Sequence, residues 1–240
     1  MKKYFTSESG VQISAITTEQ MIEIDRIAIE ETGPNLYQMM ENAGRNLAHT
    51  IIELIADISN PSIIILAGTG GNGGGGIVAA RHLLNRNYNV NLAVTDKSRM
   101  KDVPNKQLEI YENAGGMLID NLDDIEADII VDAIIGYSLS NALKGRSLQF
   151  INWANNQTAK KISLDIPSGI DSTTGKDYGV YFKADITMTL ALPKTGLTEK
   201  KCGKLLLADI GISKKVYDKI GIEYISPFKR DYVIPLSLID

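Results

Sequence analysis

SIIILAGTGGNGGGGIVAARHLL, residues 62 to 84, sets a short apolar run, a glycine stretch and an apolar segment of helical spacing in a row. A run apolar at every position is buried on both faces, which is the condition of a parallel strand covered by helices. Seven of the nine residues from Gly68 to Gly76 are glycine. Glycine after such a strand permits positive φ and lets backbone N–H groups approach a ligand, while the N-terminus of the next helix favours phosphate. A pyrophosphate-bearing ligand is therefore expected. The literal G-x-G-x-x-G of Gly68, Gly70 and Gly73 adds little, because a run this rich in glycine matches many patterns.

The same rhythm continues outward. NVNLAV, ADIIVDAII, KISLDI, DITMTLAL and KLLLADI read as short strands, alternating with amphipathic segments such as KQLEIYENAG and LQFINWANN. This predicts one α/β domain with a doubly wound, mostly parallel sheet. Upstream, Thr17 and Gln20 stand at capping-box spacing ahead of Met21, Ile24, Ile27 and Ala28, predicting a helix over 17–32 that Gly33-Pro34 ends. A second helix is expected from about Asn35 to Ile55, on the stripe Leu36, Met39, Met40, Ala43, Leu47, Ile51 and Ile55. The chain is thus expected to open on a helical pair before any strand. From about Ser213 it reads as a short helix and an extended, proline-containing tail.

With 25 basic and 29 acidic side chains the net charge is −4, which argues against a nucleic-acid partner. Cys202 is the single cysteine and His49 and His82 the two histidines, so a Cys/His zinc site cannot be built. No apolar run approaches the ~20 residues that span a bilayer, and MKKYFTSESG lacks an apolar signal core. A cytoplasmic protein without a membrane partner is expected.

In a doubly wound sheet, ligands bind at the carboxyl ends of the strands. The glycine stretch, Asp132 after DIIV, Asp165 after KISL and Lys194 in PKTG all fall there. Asn72, Asp132 and Ser168 offer hard oxygen donors, suited to an alkali or alkaline-earth cation. Lys194 reads either as a phosphate partner or as a solvated lysine. His82, Cys202, Trp153 and the Met39-Met40 pair read as packing or surface residues.

Taken together, MMENAG (39–44), AGTGGNGGGGIVAARHL (67–83), VDAIIG (131–136), SLDIPSGID (163–171), ALPKTGL (191–197) and ADIGI (208–212) resemble the NAD(P)H-hydrate epimerase family, or YjeF N-terminal domain. The resemblance implies a three-layer α/β/α Rossmann-like sandwich in one domain over 1–240, with a core at 15–213 and an extension at 214–240. It implies interconversion of the R and S forms of hydrated NADH and NADPH at nicotinamide C6, a metabolite-repair reaction. Asp165 matches the catalytic acid. Asn72, Asp132 and Ser168 match ligands of a potassium ion. Gly70, Gly71, Asn72, Gly73, Gly74 and Gly75, then Gly136, Tyr137, Ser138, Leu139, Ser140, Asn141 and Ala142, with Asp165, match the nucleotide-binding positions. A homodimer is implied, with an S-specific dehydratase on a separate chain as functional partner.

Gly71 and Gly75 stand where the family usually has Asn and Asp, and Ser138 where it commonly has Gly. Those departures leave a second reading, a relative that binds a nucleotide or a protein without efficient turnover. An NAD-dependent dehydrogenase using Asp96 for the ribose lacks an evident acid–base pair.

Overall fold

The computed structural model describes residues 3–123 and 125–239; Met1, Lys2 and Asp240, at the ends of the expected domain, lie outside the described residues. In chain order the elements are β1 (Tyr4–Ser7), β2 (Gln12–Ser14), α1 (Thr18–Ile27), α2 (Leu36–Leu54), β3 (Ser62–Ala67), α3 (Gly71–Leu84), β4 (Asn89–Val94) and α4 (Asp102–Asn113). They continue with β5 (Ile129–Ala133), α5 (Gly145–Asn155), β6 (Lys160–Leu164), β7 (Ile186–Leu190), α6 (Glu199–Cys202), β8 (Lys204–Ala208), α7 (Lys214–Lys219) and β9 (Val233–Leu238). One sheet runs in the order β2-β1-β9-β8-β7-β6-β5-β3-β4. Strands β3 to β8 pair in parallel, and β9, β1 and β2 add an antiparallel edge.

The apolar runs are continuous because both faces are covered. Along β3, Ile63, Ile65 and Ala67 join the core under α2, α3 and α4, while Ile64 and Leu66 join Phe150 and Ile151 of α5. Along β8, Leu206 and Ala208 take the first face, and Leu205 and Leu207 pack with Ile24 of α1 and Val216 of α7. This is the two-residue alternation of a strand held between two layers. The α/β/α sandwich is the expected one.

Two local readings change and a third is sharpened. The chain opens on β1 and β2 rather than on helices, because Phe5 and Ile13 are buried against the α1 layer and their backbones pair with each other and with β9. The extended, proline-containing tail after the short α7 is as expected, and it is a paired strand: β9 runs antiparallel with β8, Leu205 facing Leu236 and Leu207 facing Ile234. The glycine stretch is mostly helix, since α3 begins at Gly71.

Glycine in a helix costs about 1 kcal/mol per residue relative to alanine, so packing must offset it. A Cβ on Gly76 would sit 2.5 Å from Ala133 Cβ, and one on Gly73 only 1.9 Å from the Gly68 carbonyl oxygen. Across the neighbouring helix, a Cβ on Gly44 would lie 2.6 Å from the Gly75 carbonyl oxygen. The glycines let α3 press against the sheet and against α2.

Candidate active site

The carboxyl ends of β3, β5, β6 and β7 meet α1, α2 and the start of α3 around a cavity of about 580 Å³. Asp165 follows β6 and is 3% exposed, yet it lines this cavity. Its backbone is left-handed, φ 71°, a conformation that costs a non-glycine residue and persists only where the surroundings impose it. The imposing contacts are plain: its N–H donates to the Met188 carbonyl at 2.7 Å, and its Oδ2 accepts from the Tyr137 N–H at 2.9 Å.

Asp165 Oδ1 accepts from Lys194 Nζ at 2.5 Å, and Lys194 is fully buried. The ammonium also donates to the Leu190 carbonyl at 2.8 Å and reaches Thr189 Oγ1 at 3.4 Å. Burying a charged group is costly unless it is paired and hydrogen-bonded; Lys194 has both a carboxylate partner and a carbonyl acceptor. Lys194 is therefore neither solvated nor a free phosphate hook. Its segment is fixed by Ile16, whose N–H donates to the Pro193 carbonyl and whose carbonyl accepts from Thr195, so the chain entering α1 also aligns the lysine.

Asp132, in the middle of the sheet, is fully buried and sealed in by donors. Ile134 N–H (3.1 Å) and Ser168 Oγ (2.6 Å) donate to Oδ1, and Ser163 Oγ (3.1 Å) and Ser168 N–H (2.7 Å) to Oδ2. Burial pushes its carboxyl up to about 6, against the pull of the Ser168 bonds and those from Ile134 and Ser163. Ser168 Oγ in turn accepts from the Ile135 N–H at 2.9 Å, so Asp132 and Ser168 lock the two loops together.

Asn72, the remaining oxygen donor of the expected cation set, differs. Its Oδ1 and Nδ2 are buried and have no hydrogen-bond partner among the described residues. Gly136 explains how Asn72 and Asp165 approach each other: a Cβ there would lie 3.2 Å from Asn72 Oδ1 and 2.8 Å from Asp165 Oδ2. Of this set, Asn72 Oδ1 is the acceptor left without a partner, whereas each Asp132 oxygen already accepts two hydrogen bonds.

Of the expected nucleotide-binding positions, Gly70, Gly71, Asn72, Gly75, Gly136, Tyr137, Ser138 and Asp165 line the cavity. Gly73 and Gly74 are buried within α3, and Leu139 is buried beside α5. Ser140, Asn141 and Ala142 are exposed and do not line the cavity. Gly71 and Gly75 bring no polar group to it; a Cβ on Gly71 would meet nothing within 4 Å, while one on Gly75 would meet Leu164 Cδ2 at 2.9 Å. The opposite wall is apolar, with Met21, Leu36, Met39 and Met40, soft side chains that can cover a planar ring.

Sequence reasoning missed Asp25. It lines the same cavity from α1 and accepts a hydrogen bond from Tyr137 Oη at 2.5 Å. The available signal was its place, four residues after Met21 and beside Ile24, at the margin of the buried stripe. A second cavity of about 680 Å³ lies near the amino ends of β7 and β8, beside Arg45, His49 and Lys204, and includes none of the expected site residues.

Comparison with known proteins gives consistent results. The family described as "YjeF-related protein N-terminus" matches residues 36–196. An NAD(P)H-hydrate epimerase of Dehalogenimonas lykanthroporepellens is 47% identical over 237 residues, 97% of this chain and 97% of that protein. The bifunctional NAD(P)H-hydrate repair enzyme Nnr of Moorella thermoacetica is 35% identical over 219 residues, 84% of this chain and 41% of that longer protein. In fold, the crystal structure of yeast ynu0, YNL200c, superposes with a TM-score of 0.81 at 20% identity, covering 92% of this chain and 99% of that one.

Proposed function

The chain belongs to the YjeF-related protein N-terminus family and is an NAD(P)H-hydrate epimerase, and we propose that Asp165 is the acid–base group of its reaction. The carrying observation is a nearly buried carboxylate, in left-handed backbone, that still opens onto the cavity. Epimerisation at C6 needs the hydroxyl to leave and water to return. A proton is given to the departing oxygen and taken from the incoming one, and a carboxyl group can do both in turn. Lys194 and Tyr137 N–H each occupy one position on an Asp165 oxygen, leaving the second for substrate.

The substrate's phosphates would meet the unpaired N–H groups at the start of α3, around Gly71 and Asn72. The nicotinamide ring would lie between Asp165 and the methionines. A potassium ion is part of this reading: the unpartnered Asn72 Oδ1 supports it, with Asp132 and Ser168 fixing the adjacent loops. When bound, it would supply a fixed positive charge beside the site.

The finer biology is also proposed. Working as a homodimer fits the exposed Ile22 and Ile29 on one side of the cavity mouth. A dehydratase acting next on the S form fits the bifunctional name of the Moorella relative. A cytoplasmic setting fits one buried thiol, Cys202. Among the described residues no helix is long and apolar enough to cross a membrane.

The test mixes R and S hydrates with an S-specific dehydratase. Adding this protein is expected to make the R fraction disappear. Disappearance no faster than the spontaneous rate, with nucleotide still bound, would replace epimerase by a binding-only protein.

A further inference from the structure

One residue, through its backbone N–H at one end and its phenol at the other, ties two carboxyl groups to this cavity. The Tyr137 N–H donates to Asp165 Oδ2 at 2.9 Å, and at the other end of the same residue Oη–H donates to Asp25 Oδ2 at 2.5 Å. Asp25, Tyr137 and Asp165 all line the cavity. The tyrosine is itself anchored, since Ser172 Oγ donates to its carbonyl at 3.0 Å. A surface aspartate needs no such holder.

Inversion at C6 moves an oxygen from one face of the ring to the other. A single fixed carboxyl reaches one face; reaching the second requires the ring, with its carboxamide and ribose, to turn over in the site. Two carboxyls placed on opposite sides of the ring would remove that requirement. We propose that Asp25 is a second acid–base group of the epimerisation, serving the ring face that Asp165 does not reach, with Tyr137 as the residue that positions it. The inference rests on reading this cavity as the epimerase site.

The step balances without any redox partner. One carboxyl gives its proton to the C6 hydroxyl; the C6–O bond breaks, its electron pair leaves on the oxygen as water, and the ring nitrogen lone pair closes an iminium. A second water gives an electron pair to C6 from the opposite face and loses a proton to the other carboxylate. One water leaves and one enters. The two acids end with exchanged protonation, so the enzyme left by one direction is ready for the other.

The surroundings suit a proton-carrying Asp25. Burial holds its carboxyl above the usual range, against the Tyr137 hydrogen bond and the Lys194 charge; Asp165 adds to the rise. Burial and Asp25 likewise hold the Tyr137 phenol above its ordinary value, so it stays a donor. Tyr217 of α7 feels the Asp25 charge only weakly, and its own burial holds its phenol well above the ordinary value.

The experiment is turnover of each purified epimer in oxygen-18 water, following label and configuration separately. The wild type is expected to label and interconvert both. Asp25→Asn is expected to invert about 10²-fold more slowly while still exchanging label into one epimer, and Asp165→Asn to exchange label into the other. Tyr137→Phe keeps the N–H to Asp165 and should show the Asp25→Asn pattern, so it carries the test if Asp25→Asn does not fold. A residue that only packed would change both epimers alike. Inversion by Asp25→Asn at the wild-type rate, or equal loss of label from both epimers in a variant that still binds nucleotide, overturns the proposal. Wild type that neither labels nor inverts removes the epimerase reading instead.

Discussion

Asp132 and Asp165 stand at the carboxyl ends of neighbouring parallel strands, yet the first receives four hydrogen bonds from the chain around it and the second receives two and faces a cavity. Their backbones differ as well: Asp132 lies within β5, whereas Asp165 stands just past β6 in left-handed conformation. A carboxylate whose acceptor positions are all filled by nearby loops acts as a clamp. One with open positions over a cavity, fixed by a buried cation, is arranged for chemistry. Counting partners separates two residues that look the same as strand-end acids.

The sharpest way to break that comparison is to remove the clamp. Asp132→Ala orphans the buried N–H groups of Ile134 and Ser168, each costing about 1–3 kcal/mol. The variant is expected to lose about 3 kcal/mol or more of stability, read as a lower urea midpoint, with or without nucleotide. A midpoint within about 0.5 kcal/mol of wild type would mean that Asp132 does not hold the loops.

Asp165→Asn sits next in size. Its epimerisation is expected to fall about 10²-fold or more, the usual scale for a general acid–base group. Because the Lys194 ammonium loses its carboxylate, stability should also drop by about 2 kcal/mol. Adding Lys194→Met should restore much of the stability and none of the turnover, which separates the structural from the chemical role of the pair. Restored turnover in the double variant would reverse the assignment.

How much of this was legible beforehand follows from the range of each interaction. The capping box at Thr17 and Gln20 is a contact three residues long and was readable; both of its hydrogen bonds form. The parallel strands were readable because burial on both faces leaves an unbroken apolar run. The antiparallel edge was not, since the short β1–β2 hairpin is held in the sheet by β9, which comes from the opposite end of the chain. Lys194 stayed ambiguous because its partner lies 29 residues away and its burial is a tertiary fact. Asp25 meets Tyr137 across 112 residues. Glycine propensity pointed to a loop where packing makes a helix.

That last difference yields a smaller, two-signed prediction within α3. Gly76→Ala should destabilise by about 1–3 kcal/mol through overpacking, because its Cβ would lie 2.5 Å from Ala133 Cβ. Gly71→Ala meets nothing within 4 Å and should be neutral or stabilise by up to about 1 kcal/mol. Equal urea midpoints for the two would show that the glycines are not there for close packing.

The smallest effect comes from an acid outside the site, and it shows whether the same counting of partners works at the surface. Glu41 of α2 accepts from Arg81 Nη2 at 2.6 Å and is paired with His82 Nε2 at 2.8 Å, tying α2 to α3. The His82 hydrogen bond, opposed by burial and helped by Arg81, holds its carboxyl down at about 2 from an ordinary 4.5. A depressed folded-state value means stability that is fully present above about pH 4.5 and is lost as pH falls toward about 2. Its side chain is 40% exposed, so solvent screening keeps the contribution under about 1 kcal/mol. Glu41→Gln should therefore lower the urea midpoint slightly at neutral pH, and the gap from wild type should close toward about pH 2 and shrink in molar salt. Asp132 runs the other way, because burial raises its carboxyl where partners lower that of Glu41. A Glu41→Gln gap that widens on acidification would show that exposure and partner count do not set the sign, and the contrast between Asp132 and Asp165 would then lose its physical basis.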